Sequence, residues 1–247
     1  MKIIYSHSFC PVYTTDPAAA AGRIEAVMNA LPAGTERIDA EPATEAQIAL
    51  AHTMEHIESV RREGLYDIAA LSAGGALQAA RLGLEGPSFG AIRPPGHHAS
   101  RDSCWGFCYF NNMAVALLTL KDEGLIETAT ILDFDLHYGD GNVNILDHRG
   151  WVTICYPTSP ARDSYLEEVK TFIEAYPADM IGISAGFDNH LDDWGGLLHT
   201  QDYNAMGRMV ADSARKSNGG CFAILEGGYN HDVLGYNAAA LIEGLDV

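Results

Sequence analysis

Six short stretches of the chain are dense in apolar and β-branched residues: KIIY at 2–5, SFGAI at 88–92, ATILDF at 129–134, WVTICY at 151–156, DMIGISA at 179–185 and CFAILEG at 221–227. Runs of this length, bounded by glycine and polar residues, predict buried strands. Between them, apolar residues recur with helical spacing over 17–31, 44–63, 67–84, 111–123, 164–176, 200–217 and 235–244. Over 44–63, for example, Ile48, His52, Met54, Ile57 and Val60 approximate one face, and Gly64 supplies a stop. Strands alternating with helices predict an α/β fold, a mostly parallel sheet with helices on both faces. No repeat, low-complexity tract or long linker divides the sequence, so residues 1–247 are expected to form one domain.

Open parallel sheets bind ligands just beyond the carboxyl ends of their strands. RPPGHH follows the stretch at 88–92, DFDLHYGDG ends the one at 129–134, GFDNH follows 179–185 and GYN follows 221–227. Four polar, glycine-containing turns rich in His and Asp thus fall on one edge of the predicted sheet. That convergence says more than any one of the motifs.

DFDLH spaces Asp133, Asp135 and His137 at i, i+2 and i+4. On an extended segment such side chains share one side, because strand side chains alternate with period two. They can bind a divalent metal, carry part of a charge network or, for the aspartates, cap the helix expected after Gly139. Asp188 offers a fourth carboxylate or imidazole donor from a neighbouring strand end. An Asp-His-Asp set leaves a coordination position open, the pattern of a catalytic rather than a structural metal. Two carboxylates offset the formal charge of Zn²⁺, so the site needs help in polarising a carbonyl. Tyr229 in EGGYN is placed to donate its hydroxyl proton to a developing oxyanion. His97 and His98 can take a proton from water and return one to a leaving amine, with Asp133 and Asp140 as orienting partners.

Composition narrows the class. With 47% hydrophobic and 19% charged residues, the chain can bury a sizeable core. No stretch approaches the ~18 unbroken apolar residues of a membrane span. Ser6, His7 and Ser8 interrupt any apolar centre near the start, and the expectation is a cytoplasmic protein. A net charge of −18 argues against nucleic acid or anionic lipid as partner, and is compatible both with cationic substrates and with plain solubility. Five scattered cysteines, an odd number, read as small buried thiols, since C-x3-C at Cys104 and Cys108 is not a zinc knuckle.

RPPGHHA (93–99), GFCYFNN (106–112), DFDLHYGDG (133–141), SAGFDNH (184–190) and EGGYN (226–230) resemble, in order, the signature segments of the histone deacetylase and acetylpolyamine amidohydrolase superfamily. DP at 16–17 and AHTMEHIESV at 51–60 extend the likeness over most of the chain. The resemblance implies an arginase-like α/β domain with about eight parallel strands, and hydrolysis of amides of acylated amines. It implies Asp135, His137 and Asp188 as zinc ligands, one zinc per chain, with Fe²⁺ or Co²⁺ as substitutes. His98 matches the general base and acid, and His97 the neighbour that tunes the transition state. Asp133 and Asp140 match their acidic partners, and Tyr229 the carbonyl-polarising tyrosine. Phe107 matches one aromatic wall of the acyl-lysine channel, and Gly106 and Gly227 are taken with it as substrate-binding.

The chain departs from that pattern in three places. Tyr138 stands where the family commonly has a second histidine. The loop after Leu65 is nearly absent, and YPTSPARDSY (156–165) replaces the longer loop that usually supplies a second aromatic wall, which leaves a shallow site or one finished by a second subunit. Cys155 stands where the family's potassium site uses a serine, so K⁺ binding is an open question. His7, His52, His56, His190 and His199 are taken as ordinary histidines, since HTMEH lacks the glutamate a zinc-protease helix requires. Rival readings are an acetylpolyamine or small-amide hydrolase with the same machinery, a non-catalytic metal- or ligand-binding module, and a two-metal ureohydrolase. The intact proton-shuttling set argues against the second rival, and a single metal's worth of ligands against the third.

Overall fold

The most apolar stretches become the centre of the sheet. The computed structural model describes residues 1–246 and contains seven strands: β1 (Lys2–Tyr5), β2 (Glu36–Asp39), β3 (Ser88–Gly90), β4 (Ala129–Asp133), β5 (Val152–Cys155), β6 (Met180–Ala185) and β7 (Gly220–Leu225). Their order is β2-β1-β3-β7-β6-β4-β5, and every pairing is parallel. Every residue of β3, β4, β6 and β7 is buried, as expected for strands covered on both faces. These four are neighbours in the sheet, so the four motif-bearing turns emerge side by side.

The sheet has seven strands, where the resemblance implied about eight. It includes one strand that the apolar pattern did not reveal. β2, ERID, is an edge strand whose side chains are mostly exposed, so it lacks an apolar signature.

Flanking the sheet are α1 (Arg23–Ala30), α2 (Glu45–Ala51), α3 (Met54–Arg62), α4 (Tyr66–Gly83), α5 (Asn112–Asp122), α6 (Asp140–Leu146), α7 (Arg162–Ala175), α8 (Thr200–Ser217) and α9 (His231–Leu245). The stretch 44–63 is two helices rather than one. Thr53 is extended and caps α3 by accepting the His56 amide, while its own N–H donates to Arg101 O. The shared face therefore ends at the break, and Met54 is exposed. His52, at the same break, is buried with Nδ1 bonded to Ser100 O (2.9 Å) and Nε2 accepting from the Asn111 amide (2.8 Å). One imidazole so pins both ends of the segment 100–111. Similarly, the helix expected from 17 opens with a short 3₁₀ turn at Pro17–Ala19, capped by Asp16, before α1 begins. All five cysteines are free; Cys108, Cys155 and Cys221 are buried, whereas Cys10 and Cys104 are partly exposed. Among the described residues no helix is long and apolar enough to cross a membrane.

Candidate active site

β4 ends at Asp133, and the chain beyond it leaves the sheet. The period-two alternation therefore stops there, and Asp133 does not join Asp135 and His137. Its Oδ2 lies 3.3 Å from His97 Nδ1 and accepts from Asn142 Nδ2 at 3.0 Å. The grouping of three side chains on one side is thus corrected: two converge, and the third turns to the histidine loop.

Asp135, His137 and Asp188 bring one ligand-type atom each to within 4.8 Å of one another. Asp135 Oδ1 accepts the His137 amide at 2.9 Å and its Oδ2 the Gly227 amide at 2.8 Å. Asp188 Oδ1 accepts the Leu136 amide at 3.1 Å. Both carboxylates are thereby held by backbone amides, Asp135 through both oxygens and Asp188 through Oδ1 alone. Asp188 Oδ2 is buried without a hydrogen-bond partner, although His137 Nδ1 lies 3.0 Å away. An orphaned carboxylate oxygen facing an imidazole nitrogen and a second carboxylate fits a shared divalent cation. The charges agree. The Asp135 and Asp188 carboxylates beside it push His137 up to about 10, a mark of the negative charge gathered there. Burial, then the nearby Asp135 carboxylate, pushes Asp188 up to about 6. Burial alone would raise Asp135 as well, but the His97 charge and the bonds from His137 and Gly227 outweigh it and hold Asp135 below the usual carboxylate range.

The two histidines are tuned in opposite directions. Both sit in the Arg93–His98 loop, whose Gly96 and His97 amides donate to Glu226 Oε2 at 2.7 and 3.2 Å. Burial opposes a charge on His97, yet Asp135 and Asp133 overcome it and raise His97 well above its ordinary value. Burial and the charge of His97 lower His98 to about 4, against the pull of Asp140, whose Oδ1 lies 2.7 Å from His98 Nδ1. The surroundings thus favour the neutral imidazole at His98 and the charged one at His97. Neighbouring titratable groups driven apart in this way are the signature of an acid–base pair.

Tyr229 follows β7 in a turn held from below by buried Arg23, which donates from Nε to Gly228 O (2.8 Å) and from Nη2 to Glu226 O (2.5 Å). The Tyr229 and Asn230 amides both donate to Asp193 Oδ2 at 2.8 Å. Burial, then Asp135, raises the Tyr229 pKa, so its hydroxyl keeps its proton at any physiological pH. Phe107 meets Tyr229 edge to face, with ring centroids 6.0 Å apart. Gly227 lies beneath the ligand carboxylates, where a Cβ would come within 2.5 Å of Asp135 Oδ2.

Two exposed tryptophans complete the rim, and sequence reasoning passed over both. Trp105 stacks on His98 with centroids 3.9 Å apart, and Trp194 stacks on Tyr229 at 4.0 Å and meets His137 edge-on at 5.9 Å. Their only sequence signal was position: Trp105 directly precedes GFC, and Trp194 interrupts the polar run after Asp188. Glu226 was passed over too, although a carboxylate ending a wholly apolar strand is a conspicuous burial. The segment 156–165 lines an open pocket of about 510 Å³ beside His137, where Tyr138 and Tyr156 pack at 4.7 Å. His56 bonds Tyr109 O, and His190 bridges the Asp192 amide and the Thr200 hydroxyl; both serve as struts.

Comparison with known proteins gives one family over nearly the whole chain. The histone deacetylase domain profile matches residues 18–156 and 158–245. The histone deacetylase-like amidohydrolase of Pseudomonas aeruginosa is 27% identical over a gapped alignment of 297 positions, covering 93% of this chain and 78% of that protein. The acetylpolyamine amidohydrolase of Mycoplana ramosa is 28% identical over 268, covering 92% and 76%. A probable deacetylase of Archaeoglobus fulgidus is 34% identical over 207, covering 68% and 57%. The crystal structure of the HDA15 HD domain superposes with a TM-score of 0.86 at 24% identity, over 99% of this chain and 88% of that one. The ordered motifs, the parallel sheet and the match along nearly the whole chain lead to one assignment: the protein belongs to the histone deacetylase domain family of deacetylases and amidohydrolases.

Proposed function

We propose that this deacetylase-family amidohydrolase removes acetyl or other short acyl groups from acylated amines, using one divalent cation, zinc in the first instance, held by Asp135, His137 and Asp188. The observation that carries the reading is the buried, unpartnered Asp188 Oδ2 facing His137 Nδ1, beside two histidines whose surroundings drive their pKa values apart. When bound, the cation supplies Lewis acidity to the substrate carbonyl and acidity to water. Fe²⁺ and Co²⁺ suit the same ligand set.

The chain's own groups move the protons. His98 gives its Nδ1 proton to Asp140 in a hydrogen bond, which leaves the Nε2 lone pair free to accept a proton from the attacking water. His97, held charged by Asp133 and Asp135, sits 4.0 Å from His98 ring to ring and offsets the negative charge that develops on the tetrahedral carbon's oxygen. Tyr229 keeps its proton and donates it in a hydrogen bond to that oxygen. Collapse breaks the C–N bond as His98 Nε2 returns its proton to the departing amine. Glu226 and Arg23 hold the two loops that carry these groups.

The experiment is acetate release from an acetyl-lysine peptide and from N-acetylputrescine, with zinc-loaded protein, with and without chelator. Chelator-sensitive release is expected from at least one, and the ratio of rates ranks peptide against polyamine. Release that survives complete removal of metal overturns the reading.

A further inference from the structure

Trp105 is the one rim residue that touches the proton-transfer pair by a directed bond. Its indole Nε1 donates to Asp140 Oδ2 at 2.8 Å, while Oδ1 of the same carboxylate takes His98 Nδ1 at 2.7 Å. The indole ring also covers one face of His98, 3.9 Å between centroids at 35°, and His97 lies against the imidazole at 4.0 Å. Since Trp105 is 55% exposed, core packing does not explain its place.

The backbone is bent to put it there. Gly106 and Phe107, the next two residues, both have positive φ, +58° and +66°. Phe107 is one of two non-glycine residues with that conformation among the described residues, and strain of this kind concentrates at functional sites. A Cβ on Gly106 would fall 2.4 Å from His98 Cδ2, so the turn closes directly onto the imidazole. The Cys108 amide donates to Trp105 O at 3.0 Å and locks the turn.

Building on the proposed role of His98 as base, we infer that Trp105 is a positioning residue that fixes the Asp140 carboxylate and, through it, the tautomer and orientation of His98. The Asp140 side chain is 41% exposed. Without the indole its free oxygen faces water, and the carboxylate can rotate between solvent and imidazole. With the indole, both oxygens are committed and one histidine tautomer, Nδ1–H, is favoured. The lone pair then stays on Nε2.

The test is a double-mutant cycle in the zinc-loaded protein. Trp105→Phe keeps an aromatic face and removes the N–H; it is expected to lower kcat about tenfold, as loss of an orienting partner does, with KM within about twofold. In an Asp140→Asn background the same change is expected to cost less than about twofold, because the indole acts through that carboxylate. Wild-type kcat in Trp105→Phe, or losses that multiply in the double mutant, overturns the inference. A second readout needs no turnover: solvent exchange of the His98 Nδ1 proton, followed by ¹⁵N NMR. Exchange is expected to quicken about tenfold or more in Trp105→Phe, in line with a lost partner bond. Unchanged exchange overturns the inference even if the parent protein hydrolyses neither probe substrate, an outcome that separately sinks the proposed function.

Discussion

The floor and the rim of the site are built by different means. On the floor, Asp133, Asp135, Asp188, His97 and Glu226 are buried, and backbone amides, Asn142 or ring nitrogens fix most of their polar atoms. The rim is aromatic and half in water: Trp105, Tyr138 and Trp194 are all exposed by more than half. The floor is held from several strand ends at once, so its geometry survives changes in any one loop. Each rim residue is placed by its own loop and a stacking partner, and can vary without disturbing the sheet. The floor carries most of the groups proposed to react, and the rim covers them; of the three rim residues only Trp105 reaches in by a directed bond, to Asp140.

That division can be broken from the floor upward. Asp188→Ala removes a proposed metal ligand and is expected to abolish bound metal and turnover together, a loss of more than about 10³-fold; metal analysis beside acetate release checks it. Should the variant keep stoichiometric metal, the ligand set is wrong. Tyr229→Phe is expected to keep metal and lose about 10²–10³ in kcat, the usual worth of one oxyanion donor.

Glu226 tests the floor without kinetics. Burial, with Asp133 and Asp135 adding to it, pushes its carboxyl up to about 7 from an ordinary 4.5. A raised acid contributes stability that is full below about pH 4.5 and is lost as pH rises through 7, a slope that totals about 3 kcal/mol. Glu226→Gln should flatten that portion of the stability–pH curve, read by denaturant titration at several pH values. The smallest effect is expected at Trp194. Trp194→Leu should raise KM about fivefold while leaving kcat within about twofold, as expected if its exposed aromatic face serves substrate binding. A kcat loss larger than the KM change would show that stacking on Tyr229 matters to the chemistry itself.

Most of the floor was legible in the sequence because it follows a rule of the fold. Once β3, β4, β6 and β7 were read from their apolar runs, their carboxyl ends had to lie on one edge, and His98, Asp135, His137 and Asp188 came with them. What escaped had a local cause. β2 is exposed and charged, so nothing in its pattern distinguishes it from a loop. The helix break at Thr53 depends on contacts with Ser100, Arg101 and Asn111, almost fifty residues or more away in the chain. Asp133 is grouped with Asp135 and His137 when alternation is carried past the end of the strand at Asp133 as far as His137. Trp105 and Trp194 carry no period at all, and their partners are visible only in three dimensions.

The imidazole that pins residues 100–111 also sets an acid limit for the rim. His52 works as a neutral ring, and burial, together with the nearby His56, lowers it to about 3 from an ordinary 6.5. Its contribution to stability is complete above about pH 6.5 and drains away as pH falls towards 3, because unfolding lets the ring take up a proton that the folded state refuses. The segment carrying Trp105 and Phe107 is thus fastened by a proton balance at a residue the proposed reaction does not use, and acid weakens that fastening.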